Sequence, residues 1–156
     1  MKTTWLQKTN NSSLILFFNG WGMDERAVSH LQTDDFDLCM LSDYNGISTI
    51  NNVTDGYKKI YLVAWSMGVW AAGNAFSSTI KIEKSIALNG TQKPMDNLYG
   101  IPLSIFNHTL ETWNESNRNK FNMRILGGRA NLERLQSVLP NRSIENQQTE
   151  LRFIKE

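Results

Sequence analysis

The stretch that most limits what this chain can become is Trp65-Ser66-Met67-Gly68, which joins the strand-like run Lys59–Ala64 to the small-residue run Val69–Gly73. A short β-branched and aromatic run, one serine, then a helix-like segment opening on glycine is the layout of a nucleophile elbow. The tight turn lifts the serine out of the sheet, and the helix starting there aims backbone N–H groups and its positive dipole end at whatever sits in front of it. The usual pattern is G-x-S-x-G, and here the first glycine is Ala64. Alanine is the mildest departure, because that position needs a small side chain mainly so that helix and strand can approach. Taken alone, the tetrad also fits a serine that merely caps a helix.

A second element weighs against that plainer alternative. Leu14-Ile-Leu-Phe-Phe18 has the pattern of a buried strand and runs directly into Asn19-Gly20-Trp21-Gly22-Met23-Asp24. Two glycines around a tryptophan, just after a strand, let the backbone turn with an N–H left free. α/β-Hydrolases build an oxyanion hole from one N–H in an early strand–helix loop and one from the residue after the nucleophile. That assigns Trp21 and Met67. An ordinary glycine turn with a core tryptophan is the competing account.

Four collinear blocks carry a more specific likeness. Phe17-Phe-Asn-Gly-Trp-Gly-Met-Asp24, Ala64-Trp-Ser-Met-Gly-Val-Trp-Ala-Ala72, Ile86-Ala-Leu-Asn-Gly-Thr-Gln-Lys-Pro94 and Tyr99-Gly-Ile-Pro102 together resemble the BioG-type pimeloyl-acyl-carrier-protein methyl ester esterases. The likeness runs from about Leu14 onward. It implies an α/β-hydrolase with Ser66 as nucleophile and Trp21 and Met67 as oxyanion donors. It also implies a methyl ester substrate held on an acyl carrier protein, at the pimelate stage of biotin synthesis.

The likeness also exposes a departure. Hydrolases of this fold order their triad as serine, acid, then a histidine near the C-terminus. Here the two histidines are His30 and His108, and neither follows a late strand. After Gly90 the sequence is helical and polar, so the family's later acid-bearing strand and histidine loop are expected to be missing, as in a truncated product. His30 is expected on a helix surface and His108 on the polar side of the first lid helix. Asp43, at the end of the second strand, and Asp96, after Pro94, are weak stand-ins for the triad acid. Without a base, a serine hydroxyl is a poor nucleophile at neutral pH.

The first ninety residues alternate strand and helix, which predicts a parallel sheet with crossover helices. Strands are expected at 14–19, 37–43, 59–65 and 83–89, with Trp5-Leu6 as a short antiparallel edge. Helices are expected at 24–33, capped by Asp24, at 49–56 and at 66–78. From Pro94 the texture changes to two helical stretches, Leu103–Leu126 and Asn131–Phe153, broken at Gly127-Gly128 and at Pro140, the first with Leu103, Phe106, Leu110 and Trp113 at helical spacing. The division is therefore a hydrolase core over 1–93 and a helical lid over 94–156, with the final strands missing.

Between Asn117 and Arg142 lie Arg118, Lys120, Arg124, Arg129, Arg134 and Arg142 against the single acid Glu133, a net +5 in a chain that is +1 overall. A solvated helix face is one account. Docking of an acidic acyl carrier protein by Arg118, Arg124, Arg129 and Arg134 is the other. Nucleic acid is a poor fit at a pI near 7.8 with no binding motif. Cys39 is the only cysteine and sits in an apolar run, as an inert buried thiol. There is no metal-ligand cluster and no expected cofactor. The apolar runs are too short for a signal peptide or a membrane span, so a cytoplasmic protein is expected. Two further readings stay open: a thioesterase or general small-ester hydrolase, and a non-catalytic acyl-carrier-binding fragment.

Overall fold

The computed structural model describes residues 1–76 and 80–156. Among these residues, five strands form one sheet: β1 (Lys2–Gln7), β2 (Ser13–Phe18), β3 (Asp37–Ser42), β4 (Lys59–Trp65) and β5 (Lys84–Leu88), in the order β1-β3-β2-β4-β5. β1 is antiparallel to β3 and is longer than the Trp5-Leu6 edge the sequence suggested; the other pairings are parallel. The remaining strand bounds fall within a residue of expectation. The architecture is α/β, a mixed sheet flanked by helices.

β2 lies at the centre, with β3 on one side and β4 on the other, so the direction of the crossovers reverses there. Crevices for ligands form outside the carboxyl ends of strands at such a reversal. The register brings those ends level: Phe18 pairs with Leu41 and with Ala64, and Ala64 pairs with Ala87. The loops that leave β2, β4 and β5 therefore start side by side.

The helices differ more from expectation. The helix foreseen over 24–33 is a single 3-10 turn at Glu25–Ala27, N-capped by Asp24, whose side chain accepts the Arg26 N–H. Val28, Ser29 and His30 are weak helix formers, and the bonds there run i to i+3, Val28 N–H to Glu25 O and Leu31 N–H to Val28 O. Of 49–56, only α1 (Asn51–Thr54) is helical, and of 66–78, α2 (Met67–Ala75). Residues 77 and 78 of that expectation lie outside the described residues. Leu103–Leu126 divides into α3 (Leu103–Thr112) and α4 (Glu115–Ile125), because Trp113 is extended and Asn114 starts a new helix by accepting the Asn117 N–H. The break expected at Pro140 is present: α5 (Arg129–Arg134) and a 3-10 turn at Gln136–Val138 precede it, and α6 (Ile144–Lys155) follows.

On one face of the sheet, Leu14, Leu16, Phe18, Cys39 and Leu41 pack against Ala71, Ala72 and Ala75 of α2. The alanines let that helix lie close to the strands. The opposite face, with Phe17, Leu38 and Met40, is covered by the Val28 loop rather than by a helix. Cys39 is fully buried, and burial pushes its thiol up to about 12, so it is inert at neutral pH. β5 forms an edge: all five of its residues are exposed, Ile86 and Leu88 included. Among the described residues, no helix is long and apolar enough to cross a membrane.

The amino end of β3 is pinned by one carboxylate. Fully buried Asp37 accepts the Thr9 and Asn11 N–H groups and the Tyr57 hydroxyl. Burial pushes its carboxyl up, but the Tyr57 hydroxyl and the two N–H groups outweigh that and hold it at about 2. Its stabilisation is therefore complete above the ordinary aspartate range and is lost as pH falls towards 2. Asp37→Asn is expected to lower stability by about 2 kcal/mol at neutral pH and to flatten the acid limb of a urea-midpoint-versus-pH curve. An unchanged acid limb would assign that limb to other groups.

Candidate active site

Ser66 stands where β4 ends and α2 begins, at φ 55° and ψ −124°. A residue other than glycine is held in that region only by its surroundings. Here the Ser66 N–H donates to Leu88 O at 2.9 Å, and the Ser66 carbonyl accepts the Val69 N–H at 3.1 Å. Two glycines let the chain close around it. A Cβ on Gly68 would stand 2.2 Å from Phe18 O, and one on Gly90 would stand 2.3 Å from Ser66 O. Ser66 does not cap α2 with its side chain, which removes the capping-serine account. Ala64, 3% exposed, fills the place of the first motif glycine.

Two cavities meet at this serine. One of about 400 Å³ is lined by Ser66, Met67 and the segments Asn89–Thr91 and Tyr99–Ile101. The other, about 670 Å³, runs from Ser66 and Met67 along Trp21, Met23, Phe106 and Phe121 to Arg124. The second is walled mainly by apolar side chains from β2's loop, α3, α4 and α6. Trp21 and Phe121 of its wall form an aromatic cluster with Trp113, the Trp21 and Trp113 centroids 4.5 Å apart.

The loop after β2 reaches the same cavity. Buried Asn19 shapes its start: Asn19 Oδ1 accepts the Gly20 N–H at 2.9 Å, and its amide donates to Asp24 O at 3.0 Å. Tyr44 Oη donates to Asn19 O at 2.7 Å. Among the described residues, no protein acceptor takes the N–H of Trp21 or of Met67, whereas the Gly20 and Gly22 N–H groups are both engaged. Met67 opens α2, so its N–H lies at the positive end of that helix.

Sequence reasoning missed what holds this loop from behind. α6 buries Gln147, Glu150, Leu151 and Ile154 along one face. Gln147 O accepts the Trp21 indole N–H at 2.8 Å, Gln147 Nε2 donates to Gly22 O at 2.9 Å, and Glu150 Oε2 accepts the Gly22 N–H at 3.1 Å. Glu150 Oε1 accepts the Tyr44 N–H at 3.0 Å. Arg142 bridges Glu150 at 2.7 Å and Asp43 at 2.9 Å. Burial pushes the Glu150 carboxyl above its ordinary range, although Arg142 and the two N–H groups pull the other way. The signal in the sequence was a polar pair, Gln147 and Glu150, on the stripe that Leu151 and Ile154 make apolar.

The remaining candidates are dispersed. His30 and His108 are exposed, and neither lines a cavity that Ser66 lines. Asp43 is tied to Arg142 and Asn146, and Asp96 closes a turn by accepting the Leu98 and Tyr99 N–H groups. Neither acid borders those cavities. The basic segment is not uniformly solvent-facing. Arg142 is almost wholly buried, and Arg118 is spent on Glu115 and on Arg142 O. Arg124 lies over Phe121 at the cavity, Arg129 pairs with Glu133, and Arg134 bonds Asn131 at the surface.

Comparison with known proteins agrees with this geometry. The family model for pimeloyl-ACP methyl esterase BioG matches residues 1–154. A Bacteroides fragilis malonyl-[acyl-carrier protein] O-methyltransferase is 39% identical over 138 residues, covering 88% of this chain and 28% of that protein. An uncharacterised Haemophilus influenzae protein is 41% identical over 139 residues, covering 88% of this chain and 63% of that protein. The chain thus spans less than two thirds of the length of either curated relative. The crystal structure of Haemophilus influenzae BioG superposes with a TM-score of 0.90 at 38% identity, over 99% of this chain and 71% of that one. A lipase-esterase related protein from Clostridium acetobutylicum shares the fold at a TM-score of 0.56 and 14% identity, over 96% of this chain and 69% of that one.

Proposed function

Because this chain belongs to the pimeloyl-ACP methyl esterase BioG family, we propose that it hydrolyses the methyl ester of a pimeloyl chain borne by acyl carrier protein, a cytoplasmic step of biotin synthesis. Ser66 Oγ attacks the ester carbonyl and gives up its proton to a general base. The N–H groups of Trp21 and Met67 hold the oxyanion, and the tetrahedral adduct collapses as methanol leaves with a proton. Water then attacks the acyl-serine, releasing the carboxylate and restoring the serine hydroxyl. The observation that carries this reading is the constrained turn at Ser66, facing a cavity shared with two unengaged N–H groups.

The apolar walls of the 670 Å³ cavity suit an aliphatic acyl chain, and Arg124 at its wall suits an anionic carrier beyond. The Bacteroides relative is named for an acyl-carrier substrate, which supports such a partner here. Residues 94–156 serve on this reading as the lid, and Arg124, Arg129 and Arg134 as its docking cations. Arg118 is the weakest member of that set, because its guanidinium is already engaged. Neither His30 nor His108 lines the site, so on this reading neither is assigned as the base.

That same absence favours one competing account, an acyl-carrier-binding unit that does no chemistry. A thioesterase or small-ester hydrolase would share the elbow but has no use for the basic segment. Turnover of pimeloyl-acyl-carrier-protein methyl ester beside a p-nitrophenyl ester, with binding of the carrier measured in parallel, separates the three. Residues 1–156 alone are expected to bind the carrier while turning over either ester barely above background, and His108→Ala is expected to change neither result. Ordinary enzymatic rates that His108→Ala abolishes would place the base within the chain.

Reversing Arg129 and Arg134 to glutamate is expected to weaken carrier binding by on the order of tenfold, with the loss shrinking as salt is added. Hydrolysis of a small ester by the intact protein should be unaffected. Equal losses on both substrates would point to misfolding.

A further inference from the structure

We propose that Glu150, with Gln147 one turn before it on α6, is a positioning residue that sets the direction of the Trp21 N–H by gripping the neighbouring Gly22 at both its N–H and its carbonyl. This deepens the esterase reading and rests on it. The grip is specific in chemistry. The Gly22 N–H goes to Glu150 and the Gly22 carbonyl takes a bond from Gln147, so rotation of the chain about Gly22 breaks one or the other. The Trp21 indole N–H is fixed to Gln147 O, which ties the side chain to the same helix. With the ring held and Gly22 held, the Trp21 N–H has no protein acceptor among the described residues, and Trp21 lines the Ser66 cavity.

Gly22 has φ +72°, and a Cβ there would stand 3.1 Å from Gln147 Nε2, so glycine is the residue that allows both the turn and the contact. A second bond joins this grip to the sheet, because the other Glu150 oxygen holds Tyr44 N–H, while Tyr44 Oη holds Asn19 O. A bare carboxylate near a developing oxyanion would oppose it. Arg142, bonded to Glu150 at 2.7 Å, offsets that charge and keeps the carboxylate as a pure acceptor for two N–H groups. Glu150 touches no substrate on this account. It acts through Gly22, and a misplaced donor of this kind costs on the order of 10² in rate.

Glu150→Gln keeps the size but turns one acceptor into a donor, so either Gly22 or Tyr44 loses its partner. In the intact protein, kcat on a p-nitrophenyl ester is expected to fall on the order of 10²-fold, with KM unchanged. Gln147→Met, which removes the bond to Gly22 O, should do the same more weakly. Asp37→Asn, far from the site at the amino end of β3, serves as a variant of similar instability. A kcat loss in Glu150→Gln no larger than in Asp37→Asn, or a loss carried by KM, overturns the proposal. If the parent shows no turnover that Ser66→Ala removes, the esterase reading fails instead, and amide NMR decides the grip. The Trp21 and Gly22 amide protons should then shift and exchange faster in Glu150→Gln and not in Asp37→Asn. Unmoved Trp21 and Gly22 resonances overturn it.

Discussion

Gly68→Ala is expected to lower the stability of the protein by about 3 kcal/mol or more, enough to remove a large share of what a domain of this size has to lose. The added methyl would stand 2.2 Å from Phe18 O and 2.6 Å from Asn19 O. Both obstacles are main-chain oxygens at the end of the central strand, so no rotamer change relieves the clash. Either α2 moves off the sheet or the β2 loop moves away from Ser66. The comparison is Gly46→Ala, where nothing lies within 4 Å of an added Cβ and φ is not positive; that variant should be neutral within about 0.5 kcal/mol. Urea midpoints for the two variants make the measurement. If they shift equally, helix and strand are not in the close contact described.

Ser66→Ala is expected to reduce ester turnover by the intact protein on the order of 10⁵-fold, because the nucleophile is lost while the oxyanion donors remain. Stability should hardly change, since alanine keeps the Cβ that strains the turn. Ser66→Gly should lose as much activity yet be more stable than Ser66→Ala by about 1 kcal/mol, because glycine occupies φ 55° without penalty. A protein that gains stability on losing its serine holds that serine for chemistry. Retained turnover in Ser66→Ala would remove the acyl-serine mechanism.

The strands were legible because short β-branched and aromatic runs, ended by glycine or a polar residue, have few other uses. The elbow was legible for the same reason, with Gly68 as the clue that helix and strand nearly touch. The helix over 24–33 was misjudged because the strand–helix alternation and the Asp24 cap were allowed to outweigh Val28, Ser29 and His30, which favour a tight turn. The break at Trp113-Asn114 was readable in principle, since asparagine followed by glutamate marks a helix start, but the stripe through Leu110 and Trp113 masked it. Arg142 and Arg118 were counted as surface cations because charge alone does not say which way a side chain turns. Glu150 was invisible for a related reason: its partners, the Gly22 and Tyr44 N–H groups, lie more than a hundred residues away in sequence.

The exposed edge at β5 has a practical consequence for anyone handling residues 1–156. β5 pairs with β4 along one side only, so among the described residues its other side has no strand partner beside exposed Ile86 and Leu88, and an edge in that state is a template for another chain. Lys84 at its start is the one charge on the strand to discourage this. Shelf life in concentrated solution should therefore be governed by this border rather than by the tightly packed interior, and a charged substitution at Ile86 is the first remedy to try.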